Sequence, residues 1–170
     1  QIQGVGHADL VQAKDGSWWM VFLGFRVTHK WSYYHVLGRE TFLAPVDWPK
    51  SGWPQVNGNG TLSLNMEVPT LPLHPVEKDP VRTDFNNDKL GFQWQYLRNP
   101  VREDYSLTEK KGYLRITASP YTLNDTETMS FIGRRQTEHL FTATTLLNFQ
   151  SCAENEEAGI TLIQNSTHHY

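Results

Sequence analysis

At 170 residues the chain can bury a real core and hold one or two domains. Its 15 Lys and Arg against 18 Asp and Glu give a formal charge of −3, which excludes the dense basic footprint of a nucleic-acid binder. The single cysteine, Cys152, excludes an intramolecular disulfide and a cysteine-built metal centre. No apolar run reaches the roughly 18 residues that span a bilayer, so neither nucleic acid nor membrane is an expected partner.

Short apolar runs punctuated by Gly and Pro, with no long 3.6-residue periodicity, predict an all-β fold. Asp9 to Ala13 and Trp18 to Phe25 flank Lys14-Asp15-Gly16-Ser17. An Asp-Gly pair between apolar runs predicts a hairpin, because glycine supplies the positive φ of a tight turn. Trp18 to Gly24 is apolar almost throughout, as a strand covered on both faces would be. Residues 26–35 have no period and read as a loop that could rim a cleft. In that loop Trp31, Tyr33, Tyr34 and His35 are aromatic, open to packing or to stacking on a sugar ring. A strand is expected over Val36 to Val46, then turns at Asp47 to Pro54, where Trp48 and Trp53 are expected to pack as an anchor. Asn57-Gly58-Asn59-Gly60 is a further turn, and alternation of Leu62, Leu64, Met66 and Val68 predicts a half-buried strand over Thr61 to Val68.

Pro69, Pro72, Pro75 and Pro80 stiffen residues 69–83 and remove backbone donors, the composition of a linker. Residues 1–68 and 84–170 are therefore expected to be separate domains. Beyond the linker, strands are expected over Phe92 to Leu97, Tyr113 to Ala118, Ser130 to Arg134, Leu140 to Phe149 and Ala158 to Gln164, in an antiparallel sandwich. Arg134 and Arg135 are expected in ion pairs of that sandwich. The opening Gln1-Ile2-Gln3 and a close on His168-His169-Tyr170, as if entering a strand, suggest an internal stretch of a longer polypeptide.

Two strand-like segments spend positions on ionisable residues: Gly6-His7-Ala8-Asp9-Leu10 and Leu37-Gly38-Arg39-Glu40-Thr41. An unpaired buried charge is costly, so such residues are either satisfied or used. His7 reads as a core histidine bonded to backbone or as a site residue. Asp9, two residues on, shares its face and reads as a hydrogen-bonding residue or as half of a His-x-Asp metal pair. Arg39 and Glu40 are neighbours on opposite strand faces and cannot readily satisfy each other, which leaves Glu40 structural if Arg39 faces a pocket.

Gly6-His7-Ala8-Asp9-Leu10-Val11, Asp15-Gly16-Ser17-Trp18-Trp19, Leu37-Gly38-Arg39-Glu40-Thr41, Trp48 with Gly52-Trp53-Pro54, and Asn57-Gly58-Asn59-Gly60 together resemble the closing part of a family-43 glycoside hydrolase of the β-xylosidase and α-L-arabinofuranosidase type. Asp84-Phe85, Gly91-Phe92-Gln93-Trp94, Leu97-Arg98-Asn99-Pro100, Gly112-Tyr113-Leu114-Arg115 and Phe131-Ile132-Gly133-Arg134-Arg135-Gln136 are similar to the concanavalin-like C-terminal sandwich of those enzymes. The resemblance implies the last strands of a partial five-bladed β-propeller followed by an incomplete antiparallel β-sandwich.

It further implies an inverting exo-glycosidase acting on xylo- or arabino-oligosaccharides of hemicellulose. Its three catalytic carboxylates belong to earlier blades, so no catalytic residue is placed in this chain. Arg39 matches the family's substrate-binding pocket arginine, and His7 the axial histidine that supports a central water or metal. No cofactor is required by the resemblance, which leaves room for a structural Ca2+ near His7 and for an oligomer, and leaves the compartment open. A non-catalytic carbohydrate-binding β-sandwich module is the competing expectation.

Overall fold

The computed structural model describes residues 2–28, 35–50, 52–68 and 70–170. Among the described residues the regular structure is ten β-strands and one turn of 3-10 helix, Arg102–Asp104, so the expected all-β class holds. No helix among the described residues is long and apolar enough to cross a membrane. The chain divides into two compact units, Gln1–Val76 with Gln136–Leu140, and Glu77–Arg135 with Phe141–Tyr170.

The first unit is built on a four-stranded antiparallel meander of β1 (Ile2–Gln12), β2 (Trp18–Arg26), β3 (Glu40–Asp47) and β4 (Gln55–Val56), side by side in chain order. The β1–β2 turn forms where Asp-Gly stands in the sequence. Gly16 takes φ 87°, Gly16 N donates to Ala13 O, and the Asp15 carboxylate accepts from Ser17 N and Oγ. β2 buries residues on both faces: Trp19 lies opposite Pro45, and Phe22 opposite Phe42, with the two phenyl rings stacked at 5.6 Å. Trp19, Phe22, Ala44 and Val46 form the centre of this core, with Val27 and Leu37 also buried.

Several expectations change. β2 runs on to Arg26, inside what reads as loop, and β3 starts only at Glu40. Gly38, at φ 71°, donates to His35 O and closes a turn over 35–38 that delays the strand. Trp48 packs against Trp18 with ring centroids 4.9 Å apart, whereas Trp53 is 88% exposed and stacks on no other ring among the described residues. Residues 61–68 form no strand: the alternation is there, but no described neighbour offers a ladder, and Leu64 and Val68 remain exposed. His35 stacks on Phe25 at 4.1 Å, while Trp31, Tyr33 and Tyr34 lie outside the described residues.

In the second unit the strands are short antiparallel pairs. β5 (Trp94–Tyr96) pairs with β8 (Ile132–Arg134), β6 (Tyr105–Ser106) with β7 (Arg115–Ile116), and β9 (Ile163–Asn165) with β10 (His168–His169). The Tyr105 hydroxyl joins two of these pairs, donating to Phe131 O and accepting from Phe131 N, with the Tyr96 ring edge-on against it at 4.9 Å. Burial raises the Tyr105 pKa above its ordinary value and so favours the neutral phenol that this double bond needs. The run Leu140 to Phe149, read as a strand, forms none, and Leu140 and Leu146 stand almost fully exposed. Arg134 makes no ion pair among the described residues; it donates to Pro80 O and lies over the Trp94 ring.

Candidate functional site

His7 is on β1 at an irregular point. Gly6 pairs with Leu23 and Asp9 with Val21, so His7 and Ala8 together face the single residue Phe22. A second irregularity sets Gly4 and Val5 against Gly24. Each bulge begins with a left-handed residue: Gly4 at φ 59° and His7 at φ 49°. Glycine is the ordinary occupant of that place, and at Gly4 a Cβ would fall on the Phe25 ring. At His7 the chain instead holds an L-residue in a sparsely populated conformation, as happens where a bulge re-aims a side chain. The imidazole is exposed. Asp9 is exposed too, and its carboxylate has no hydrogen bond among the described residues.

Arg39 stands at the mouth of β3, one residue before the ladder begins. Leu37, only 5% exposed, roots the turn in the core, and Gly38 follows at φ 71°, so Arg39 is presented outward from an anchored turn. Its guanidinium is in no ion pair among the described residues. Strand spacing and rise put the Arg39 and His7 backbones about 14 Å apart across the sheet. A shallow concavity of about 490 Å³ in this unit is lined by Ile2, Val5, Gly60, Leu62, Ser63 and Leu64, and contains neither residue.

Glu40 is structural, and its partner is Arg26, which sequence reasoning leaves in the loop. Gly24 pairs with Glu40, so Arg26, two residues on, is the diagonal neighbour of Glu40 on the same face. Arg26 Nε donates to both Glu40 oxygens at 3.1 and 3.0 Å, and Nη2 donates to Oε1 at 2.9 Å. The same guanidinium reaches the segment Gln136–Leu140, with Nη2 donating to Thr137 O at 2.6 Å and Nη1 to Glu138 Oε2 at 3.4 Å. Hydrogen bonding from Arg26 holds the Glu40 carboxyl below the usual carboxylate range, against the opposing effect of burial.

A lowered folded pKa stabilises the fold above the unfolded value and loses that contribution as pH falls through the folded one. Urea unfolding is therefore expected to show Glu40→Gln less stable than the parent at pH 7, by up to about 1 kcal/mol for a partly exposed pair. The gap should close as pH falls below about 4, where the parent carboxylate also takes up a proton.

A calcium ion needs six to eight oxygens. One imidazole and one carboxylate at His7 and Asp9 do not supply that shell, and no cluster of three or more His, Cys, Asp or Glu is gathered for a metal among the described residues.

Residues 1–54 match the family described as glycosyl hydrolases family 43, and residues 82–170 the β-xylosidase C-terminal concanavalin A-like domain. The chain is 48% identical over 170 residues to the non-reducing end α-L-arabinofuranosidase BoGH43B of Bacteroides ovatus, covering 99% of this chain and 31% of that protein. It is 39% identical to a xylosidase/arabinosidase of Butyrivibrio fibrisolvens, covering 97% and 32%. Among solved structures, the B. ovatus xyloglucan-locus GH43B superimposes with TM-score 0.71 at 48% identity over 79% of this chain and 26% of that one. The GH43 protein BlXynB of Bacillus licheniformis gives the same TM-score at 38% identity, covering 81% and 26%. The chain thus spans about a third of the length of these curated relatives.

Proposed function

Since the chain belongs to glycosyl hydrolase family 43, we propose that it is part of an inverting exo-glycosidase that releases xylosyl or arabinosyl units from hemicellulose oligosaccharides. The observation that carries this reading is the 48% identity along 99% of the chain to an enzyme named for the non-reducing end. In this reading residues 1–68 close the propeller, 69–83 link, and 84–170 begin the sandwich.

Inversion needs an acid that protonates the glycosidic oxygen and an opposed carboxylate that activates water, about 6.5–9.5 Å apart. Both belong to other parts of the polypeptide. What this chain supplies is charge and shape. Arg39, presented outward by its anchored turn, donates to substrate hydroxyls in a fixed fork and keeps a nearby carboxylate ionised. His7, turned by its bulge, supports the floor of the site through a water. The anomeric configuration of the first-formed pentose tests the reading: inversion supports it and retention rejects it.

A further inference from the structure

One guanidinium serves three separate stretches of chain. Arg26 ends β2, its carboxylate partner Glu40 begins β3, and Thr137 and Glu138 come from a strap more than a hundred residues later in sequence. Four of its contacts are 3.1 Å or shorter. Charge-assisted bonds of this kind are about twice as strong as neutral ones and fix direction as well as distance.

What the clamp fixes is the backbone next to Arg39. On one side Arg39 is joined to Gly38, whose left-handed φ of 71° needs a residue without Cβ strain and whose own freedom is large. On the other side it is joined to Glu40, which is held by its side chain to Arg26 and by its backbone to Gly24. The direction in which Arg39 leaves the sheet is therefore set from the Glu40 side as well as by the turn over 35–38. We infer that Arg26 is a positioning residue for Arg39, and that the strap at Thr137 and Glu138 completes the clamp. The inference rests on Arg39 being a substrate contact, as proposed above. It adds a route by which a segment far along the chain sets the geometry of a pocket residue. Misplacing a contact by about an ångström is enough to cost a substantial rate factor.

The test is a double-mutant cycle in the full-length enzyme with 4-nitrophenyl β-D-xylopyranoside and 4-nitrophenyl α-L-arabinofuranoside, each variant first checked by thermal melting. Arg26→Ala is expected to lower kcat/KM on the order of tenfold. The Arg26→Ala/Arg39→Ala double variant should then be no slower than Arg39→Ala alone, within about twofold, since a residue that acts only through Arg39 has nothing left to position. A residue that merely supports the fold would add its loss in both backgrounds. If Arg26→Ala does not yield folded protein, Glu40→Gln carries the same cycle, keeping the shape of the side chain and removing the ion pair. Additive losses, or unchanged kinetics in both Arg26→Ala and Glu40→Gln, overturn the inference while Arg39 keeps its role. An Arg39→Ala enzyme with full activity instead removes the premise, and the inference with it.

Discussion

Arg39→Ala in the full-length enzyme is expected to lower kcat/KM on xylosyl or arabinosyl substrates at least about tenfold, a loss of about 1.4 kcal/mol of transition-state stabilisation, while leaving thermal stability nearly unchanged. Both halves of that expectation come from the turn. Leu37 is buried and Gly38 takes the left-handed backbone, so the turn is secured by the two residues that precede the arginine. Arg39 itself is exposed and free of ion pairs among the described residues. Its removal is therefore expected to cost little packing. Arg39→Lys keeps the charge but not the planar fork, and should recover only part of the loss. Steady-state kinetics beside a melting curve checks this, and normal kinetics in Arg39→Ala would remove the residue from the site.

The opposite pattern is expected at Phe22. It is 2% exposed, stacked on Phe42 in the middle of the sheet, and opposed on β1 by the bulge that carries His7. Phe22→Ala removes a ring the surrounding strands cannot close over. The expected cost is about 3–5 kcal/mol, read as a fall in the urea midpoint of the propeller part. Phe22→Leu fills most of the volume and should lose much less. If Phe22→Ala unfolds at the parent midpoint, the sheet centre is not where the structure puts it.

These two residues also mark what can be read from a sequence of this kind. Phe22 sits in an apolar run between an Asp-Gly turn and a polar stretch, and a central strand with both faces covered announces itself by that pattern. The hairpin at Asp15-Gly16 and the all-β class were legible for the same reason: the signals are local. The alternating run Thr61 to Val68 shows the limit. Alternation says which face a strand would bury, but a strand needs a ladder, and none of the described residues provides one there. Leu140 to Phe149 fails in the same way.

The candidate site divides along the same line. His7 and Arg39 stood out because ionisable residues interrupt apolar segments, and because ordered motifs around them resemble one enzyme family. Arg26 did not stand out. Its partners are 14, 111 and 112 residues away in sequence, and nothing in Gly24-Phe25-Arg26-Val27 announces them. A hint was available in the pairing itself, since a β3 that begins at Glu40 opposite Gly24 puts any cation at position 26 on its diagonal. The bulge at His7 was invisible too, because a positive φ at histidine leaves no mark on the sequence, whereas at Gly4 the residue type gives it away.

The most direct measurement is proton NMR of the sugar released in the first minutes when the full-length enzyme meets a β-linked xylo-oligosaccharide whose reducing end has been reduced to the alditol, so that the leaving group carries no anomers of its own, taken before mutarotation scrambles the product. The α-anomer of xylose should appear first, from the chain end, as a single displacement by water requires. First appearance of the β-anomer would mean a double displacement through a covalent sugar, with the two carboxylates only about 5–5.5 Å apart, and would contradict the account.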